Sequence, residues 1–139
     1  MSIEENKALV RRSTEEVWNK GNLSYADECV APEHTWHNPV IEVKGLEGFK
    51  ESVSMMRSAF PDLHTTIDSM VAEGDMVACQ VTMTGTLKGE FMGNSPTGKK
   101  MTIKGADFIR FEVGKVVAAW SYLDNLSMFQ QLGISPPGQ

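Results

Sequence analysis

The sequence has little of what a disulfide-stabilised or membrane-spanning protein needs. Its 139 residues include two cysteines, Cys29 and Cys79, which lie in apolar segments far apart in the chain. We expect two buried, reduced thiols, no disulfide and no redox function. No apolar run approaches the ~20 residues of a membrane helix, and the N-terminus lacks the basic-then-apolar order of a signal peptide. The sequence therefore predicts a soluble, cytoplasmic protein with no membrane partner.

Clustered positive charge and histidine are also scarce. The chain has 13 Lys plus Arg against 18 Asp plus Glu, and no basic run is longer than a pair. Because phosphate binding relies on clustered cations, we expect no nucleic-acid partner. His34 and His37 are three residues apart, which sends them to opposite faces of a strand. The pair therefore lacks the one-sided geometry of a metal site, and we expect no metal.

Apolar residues recur at helical spacing in the first part of the chain. They predict a helix over residues 3–20 and a shorter one over residues 24–30. A third helix, which Pro61 terminates, is indicated by an apolar stripe at steps of four, three and four: Phe49, Val53, Met56 and Phe60.

From residue 62 the apolar period changes to two, which is typical of strands. Residues 63–72 and 76–86 form one predicted antiparallel pair. A second pair surrounds a tight turn at Val113 and Gly114, where Gly supplies the positive φ of a two-residue hairpin loop. The Gly-rich connection over residues 87–99 is interpreted as a flap over a pocket mouth.

Helices first and strands later predict an α+β fold, with residues 1–139 as a single domain. The antiparallel sheet would curl over about three N-terminal helices. A sheet curved in this way encloses a cone, and a cone lined by strand residues is a cavity for a hydrophobic small molecule.

The last predicted strand carries the strongest candidate for chemistry. A period of two places Trp120, Tyr122 and Asp124 on one face. If this face is the wall of an apolar pocket, desolvation raises the pKa of the carboxyl toward the range useful for a general base or acid. The alternative is that Asp124 caps the helix that begins near Leu126.

Two further residues are candidates. A two-residue hairpin loop would pair Asp107 with Trp120 and place it on the same face as Tyr122 and Asp124; its alternative role is a satisfied polar residue at the pocket rim or a salt-bridge partner. His37, in His-Asn-Pro, is the histidine expected to point into the cavity and hydrogen-bond a substrate carbonyl, unless it is structural. Four further large aromatics are expected in the core or the substrate-binding wall: Trp18, Trp36, Phe60 and Phe91.

Four stretches in this order resemble the SnoaL-like polyketide cyclases, also called predicted ester cyclases, of the NTF2-like superfamily. They are Glu-Glu-Val-Trp-Asn-Lys-Gly-Asn, Gly-Phe-Lys-Glu-Ser-Val-Ser-Met-Met-Arg-Ser-Ala-Phe-Pro-Asp-Leu, Gly-Glu-Phe-Met-Gly-Asn-Ser-Pro-Thr-Gly-Lys-Lys, and Gly-Lys-Val-Val through Gln-Gln-Leu-Gly, at residues 15–22, 48–63, 89–100 and 114–133. The resemblance spans nearly the whole chain and implies an NTF2-like cone and a homodimer through the sheet.

The resemblance also implies a reaction. In the characterised cyclases of this family, one Asp near the end of a late strand is the general acid/base of an intramolecular aldol ring closure that needs no metal or cofactor. Asp124, after Trp120-x-x-x-Asp, is the matching position. We therefore expect a cyclase or lyase acting on a hydrophobic, carbonyl-rich substrate.

Other functions of the same scaffold remain open. Related epoxide hydrolases use Arg and Asp two apart on one strand, whereas Asp107 and Arg110 are three apart and face opposite ways, which disfavours that reaction. An isomerase-like reaction is a further alternative. A small-ligand binding protein without chemistry would differ only in whether Asp124 reaches a reactive carbon.

Overall fold

The structure, a computed structural model, describes residues 2–39 and 42–136. Within them the helices are α1 (Ile3–Ser13), α2 (Ala26–Cys29), α3 (Gly45–Ala59) and α4 (Asn125–Leu132), with a π-helix at Thr14–Asn19 and a 3₁₀ turn at Leu23–Tyr25. The strands are β1 (Val30–His37), β2 (Glu42–Lys44), β3 (His64–Glu73), β4 (Met76–Thr86), β5 (Lys100–Glu112) and β6 (Lys115–Leu123). Helices thus precede the long strands, as the α+β prediction required.

The first helix begins with a capping box and ends as a π-helix. The Ser2 hydroxyl accepts from the Glu5 backbone N–H at 3.1 Å, and the Glu5 carboxylate accepts from the Ser2 N–H at 3.2 Å. Such reciprocal bonds satisfy N–H groups that have no partner within a helix. At the other end, Lys20 N–H donates to the Glu15 carbonyl five residues back at 3.0 Å. The predicted extent, residues 3–20, is therefore right, but its last turn is wider than an α-helix.

The six strands form one sheet in the order β2-β1-β6-β5-β4-β3. Neighbouring strands are antiparallel except β1 and β6, which are parallel. Both predicted hairpins are present. The β5–β6 loop has φ of 49° at Val113 and 76° at Gly114, the left-handed pair that a type I′ turn requires.

A β-bulge changes the register of this second hairpin. Phe111 pairs with Val116, but Arg110 pairs with Ala118, so that Val117 is an extra residue on β6. All pairs beyond it are shifted by one residue. Asp107 therefore lies opposite Ser121, and the prediction that it lies opposite Trp120 is wrong because it assumed an unbulged ladder.

The core lies between the helices and the face of the sheet that they cover. The largest cluster joins the end of α3 to β4, β5 and α4, with side chains that are almost inaccessible to solvent: Phe60, Leu87, Met101, Ile103 and Leu132. A second cluster lies under α1, around Val10 and Val77, and a third holds Val17 and Cys29 against Val53. The apolar stripe of the third helix is thus core at Val53 and Phe60, as its spacing predicted.

No helix within the described ranges is both long enough and apolar enough to cross a membrane.

Candidate functional site

A cavity of about 240 Å³ lies between the sheet and the helices. Its walls come from the π-helix, α3, β1, β4 to β6 and the loop after β4, and most of the lining side chains are apolar. The aromatic part of the wall consists of Trp18, Trp36, Phe49 and Phe91. Such a cavity, apolar with a few polar groups, suits a hydrophobic small molecule.

The aromatic wall is built on contacts between edges and faces of rings. The ring centroid of Trp18 lies 5.7 Å from that of Trp36 and 5.9 Å from that of Phe49. The π-helix presents Trp18, and Arg57 of α3 fixes that backbone by donating to the carbonyls of Trp18 and Asn19 at 2.8 and 3.0 Å. Trp18 and Trp36 are therefore wall residues, which the sequence left undecided between wall and core.

The two phenylalanines assigned to the wall have different positions. Phe91, in the 87–99 connection, lines the cavity together with its neighbour Met92. Phe60 lies behind it, fully buried, with its ring centroid 5.2 Å from that of Phe91. The assignment of Phe60 to the substrate-binding wall is therefore wrong, because this side chain belongs to the core.

The face of β6 that lines the cavity is the opposite of the one predicted. Ala119, Ser121 and Leu123 line it, whereas Trp120 and Tyr122 lie on the outer face of the sheet. The predicted alternation is correct, but the large aromatics were assigned to the wrong side. Small inward residues leave room for the cavity. Trp120 and Tyr122 therefore do not contact a ligand held there.

Asp124 lies outside the cavity. It is exposed, and its carboxylate accepts a hydrogen bond from the Ser127 backbone N–H at 3.1 Å, which caps α4. The prediction that it shares a cavity wall with Trp120 and Tyr122 is wrong. The alternative weighed for it, a helix cap at the end of a strand, is the geometry found, and it uses the carboxylate as an acceptor at the positive end of a helix.

Asp107 is the carboxyl that lines the cavity. Solvent reaches part of it through the cavity, but protein surrounds it, and this burial raises the pKa of the Asp107 carboxyl. Hydrogen bonding by Ser121 opposes the effect and lowers the pKa in part. The raised pKa makes the ionised form a stronger base than an exposed Asp.

A short polar chain leads to Asp107. The indole N–H of Trp36 donates to the Ser121 hydroxyl oxygen at 2.8 Å. An indole N–H donates and never accepts, so the Ser121 oxygen is the acceptor and its own proton is available for Asp107. Trp36, Ser121 and Asp107 thus come from three adjacent strands, β1, β6 and β5. Ser121 has no sequence signature, and the register shift at Val117 is what brings it to this place.

The cavity contains a histidine, but not the one predicted. His37 lies on the outer side, where its Nδ1 is 2.7 Å from a Glu42 carboxylate oxygen and its ring stacks on Trp120. The prediction that His37 points into the cavity is therefore wrong. His34, on the other face of β1, lines the cavity and is 1% exposed. The two histidines do face opposite ways, as their spacing indicated.

His34 is held without a charge. Burial lowers its pKa; the Val116 backbone opposes this shift, and the nearby His37 adds to it. Among the residues that the structure describes, no group meets hydrogen-bond geometry with either ring nitrogen. At neutral pH, His34 is therefore a neutral imidazole, with one N–H donor and one nitrogen acceptor.

The structure also bears on the predictions made for the two cysteines and for metal binding. Cys29 and Cys79 are buried free thiols that line the cavity, and burial raises their pKa to about 11 and about 12, which leaves them protonated and unreactive. Over the part of the chain that the structure describes, no three His, Cys, Asp or Glu side chains are placed to hold a metal ion.

Comparison with known proteins relates this fold and cavity to a family. The family model of the SnoaL-like polyketide cyclases matches residues 8–132. An aklanonic acid methyl ester cyclase from Streptomyces sp. strain C5 is 28% identical over 131 residues, which are 90% of this chain and 80% of that protein. AclR from Streptomyces galilaeus, described as a candidate hydroxylase, is 32% identical with a TM-score of 0.82, covering 95% of this chain and 83% of its own.

A more distant structure supports the fold. A protein from Catenulispora acidiphila with a ketosteroid isomerase-like fold, in complex with trimethylamine, has a TM-score of 0.78 at 17% identity, covering 91% of this chain and 93% of its own. At that identity the likeness concerns the fold alone. The predicted NTF2-like cone is confirmed.

Proposed function

Because the chain belongs to the SnoaL-like polyketide cyclase family, we propose that it is a cyclase that closes a ring in a hydrophobic, carbonyl-rich substrate by intramolecular aldol addition. The observation that carries the proposal is Asp107, a carboxyl with a raised pKa in the wall of an apolar cavity. Asp107 takes the role of general acid and base for which the sequence favoured Asp124.

The reaction needs one proton to leave carbon and one to reach oxygen. The Asp107 carboxylate removes an acidic proton from a carbon between two carbonyls, and the substrate's own conjugation stabilises the enolate. That carbon attacks a second carbonyl of the same molecule, a carbon–carbon bond forms, and the protonated Asp107 returns its proton to the new alkoxide. Substrate and product are isomers, and the enzyme is regenerated.

Ser121 and the aromatic wall support this reaction in different ways. The Ser121 hydroxyl, oriented by the Trp36 indole, stabilises the ionised carboxylate and fixes its direction. Trp18 and Phe49 confine the substrate so that the two reacting carbons stay close. Holding two reactants in place can supply ~7–11 kcal/mol of the barrier, so one base in a well-shaped cavity is sufficient chemistry.

A pair of matched variants tests the assignment. Asp107→Asn keeps the shape of the side chain and deletes the base, whereas Asp124→Asn makes the same change on the exposed helix cap. With aklanonic acid methyl ester as the first substrate, we expect Asp107→Asn to lose ~10²–10⁴ of the rate and Asp124→Asn to stay within a few-fold of the unaltered protein. Circular dichroism and thermal melting establish that both variants fold. The opposite ranking would return the acid/base role to Asp124.

The mass of the product separates the alternatives. Ring closure gives an isomer of unchanged mass, whereas a hydroxylation, as the description of AclR suggests for that protein, adds one oxygen. A panel of poly-ketone esters that bind without any change in mass or chromatographic retention would indicate the non-catalytic ligand-binding function instead.

A further inference from the structure

His34 is a buried polar side chain that the proposed reaction does not use. Among the described residues, buried side-chain nitrogen or oxygen atoms without a partner occur at Asn6 and His34, and His34 is the one that lines the cavity. Buried polar atoms are nearly always paired, because desolvation without a hydrogen bond destabilises the fold. A ligand in the cavity could supply the missing partner.

The position of His34 places it away from Asp107. Both His34 and Trp36 project from the same face of β1, and the Trp36 indole reaches toward Ser121 and Asp107. His34 lies two residues earlier, toward the Val116 end of β6, with its ring centroid 5.6 Å from Phe49. The His34 imidazole and the Asp107 carboxyl therefore line the cavity at different positions along the sheet, on strands that β6 separates.

The charge around His34 restricts what it can bind. Its ring is neutral, so it offers one donor and one acceptor without a net charge. None of the described residues that line the cavity is Lys or Arg, whereas Asp107 is acidic. An ionised carboxylate of a ligand would have no cation to pair with and would lose its hydration on entry. A neutral ketone, ester or hydroxyl oxygen needs no cation and loses much less hydration on entry.

We propose that His34 binds the substrate, through a hydrogen bond to a neutral ketone, ester or hydroxyl oxygen at the end of the cavity remote from Asp107. That the bound molecule is a substrate rests on the proposed function. The hydrogen bond from His34 to the molecule requires only that it binds. The ligand class that follows is a neutral, mostly apolar molecule with an oxygen function at the His34 end and no free carboxylate there.

Two matched probes test the contact. 2-Acetylnaphthalene and 2-isopropenylnaphthalene have nearly the same shape and differ by a carbonyl oxygen in place of a methylene. By calorimetric titration we expect the unaltered protein to bind the ketone about fivefold more tightly, as one added hydrogen bond allows. 2-Naphthoate, ionised at neutral pH, should bind more weakly than either. His34→Phe keeps an aromatic ring and deletes both nitrogens, and it should reduce the preference for the ketone to about one.

A spectroscopic measurement reports on His34 itself. The chain has three histidines, so the ¹⁵N ring resonances can be assigned with His37→Gln and His64→Gln variants. The ketone should shift a His34 ring nitrogen, and the alkene should not. The inference is overturned if His34→Phe keeps the ketone preference, if the ketone binds without moving the His34 resonances, or if the ketone does not bind the unaltered protein up to its solubility limit.

The binding experiment is independent of turnover. Asp107→Asn should slow ring closure by ~10²–10⁴ and leave the preference for the ketone in place, because it changes a different strand and keeps His34. A protein without cyclase activity in which His34 still determines the ketone preference would remove the proposed function and leave this inference standing. If the protein is an active cyclase and His34→Phe binds both probes as the unaltered protein does, the proposed function stands and this inference is overturned.

Discussion

Two neighbouring rows of paired residues cross β4, β5 and β6 on opposite faces of the sheet, and they differ in side-chain size and polarity. The inner row joins Cys79, Asp107 and Ser121 across β4, β5 and β6, and it lines the cavity. The outer row, one residue away on each strand, joins Ala78, Phe108 and Trp120. The small and acidic residues face inward and the large aromatics face outward, which reverses the usual expectation that large aromatics mark the interior.

The outer row continues beyond β4, β5 and β6 onto two further strands. It extends to Val71 on β3 and to His37 on β1, and Tyr122 lies beside it with its ring centroid 6.3 Å from that of Phe108. Val71 is 68% exposed, Tyr122 55% and Phe108 42%. Exposed apolar residues grouped in this way are typical of surfaces that contact another protein. From this difference between the rows we predict protein contact at the large outer side chains and chemistry at the few polar inner ones.

The largest effect should come from a one-residue shift of β6 beyond the bulge. Deleting Ala119 pairs Asp107 with Tyr122 instead of Ser121 and turns residues 120–123 over, which drives Trp120 and Tyr122 toward the cavity and exposes Ser121. We expect this deletion variant not to fold, by circular dichroism and near-ultraviolet spectra. Deleting Val117, the extra residue of the bulge, leaves Asp107 opposite Ser121 and is the matched control, which should fold. An Ala119 deletion variant that melts like the Val117 deletion variant would mean that the register does not determine the faces.

Assembly is the next test of the outer row. We predict a homodimer through this face, because an apolar band of this kind needs cover. Phe108→Glu with Tyr122→Glu should halve the mass measured by sedimentation at micromolar concentration. Val113→Glu, at the fully exposed tip of the β5–β6 hairpin, is the matched control and should remain dimeric. An unaltered protein that sediments as a monomer contradicts the prediction.

A smaller effect is expected from the hydroxyl beside the base. Hydrogen bonding by Ser121 lowers the pKa of Asp107, so Ser121→Ala should raise that pKa further and move the acidic limb of the kcat/KM profile to higher pH. Turnover at neutral pH should fall about five- to tenfold, as the loss of one hydrogen bond of ordinary strength allows. Ser121→Thr retains a hydroxyl and should recover most of the rate. An unshifted profile in Ser121→Ala would separate Ser121 from the chemistry.

The stability of the ligand-free protein should depend on Asp107 in a direction opposite to most acidic residues. Its pKa is raised in the folded state, so its contribution to stability is fully present below its ordinary pKa of 3.8 and is lost as the pH rises through the folded pKa. Asp107→Asn has no carboxyl to ionise, so the variant does not lose this stability as the pH rises. We expect the variant to melt a few degrees higher than the unaltered protein at neutral pH, with the difference closing in acid. Asp124→Asn should show no such gain.

Removal of metal should have the smallest effect. Dialysis against EDTA should leave the melting temperature and any ring-closing activity unchanged, since no three His, Cys, Asp or Glu side chains of the described residues are placed to hold a metal ion. A melting temperature that falls on dialysis and is restored by zinc would contradict this expectation.

Much of the fold follows from local patterns, whereas the site depends on register. The stripe ending at Phe60 and the turn at Gly114 predict their elements because period and turn chemistry act over a few residues. The bulge at Val117 has no such signature, and one added residue exchanges which side chains face Asp107. Asp124 was favoured by its aromatic neighbours, which the strand presents to the outside. Distinguishing His34 from His37 required the pairing of β1 with β6, a contact between distant parts of the chain.

The parallel pairing of β1 with β6 also has a consequence during synthesis. Trp36 and its partner Ser121 are 85 residues apart, so at ~5–20 residues per second β1 leaves the ribosome roughly 4–17 s before β6 does. In that interval the edge of β1 that pairs with β6 lacks its hydrogen-bonding partner, and an unpaired strand edge favours aggregation. Phe49, only 13 residues after Trp36, packs against both His34 and Trp36 and emerges within a few seconds. The phenylalanine that lines the cavity of the finished protein is thus placed to cover one face of this strand in the nascent chain.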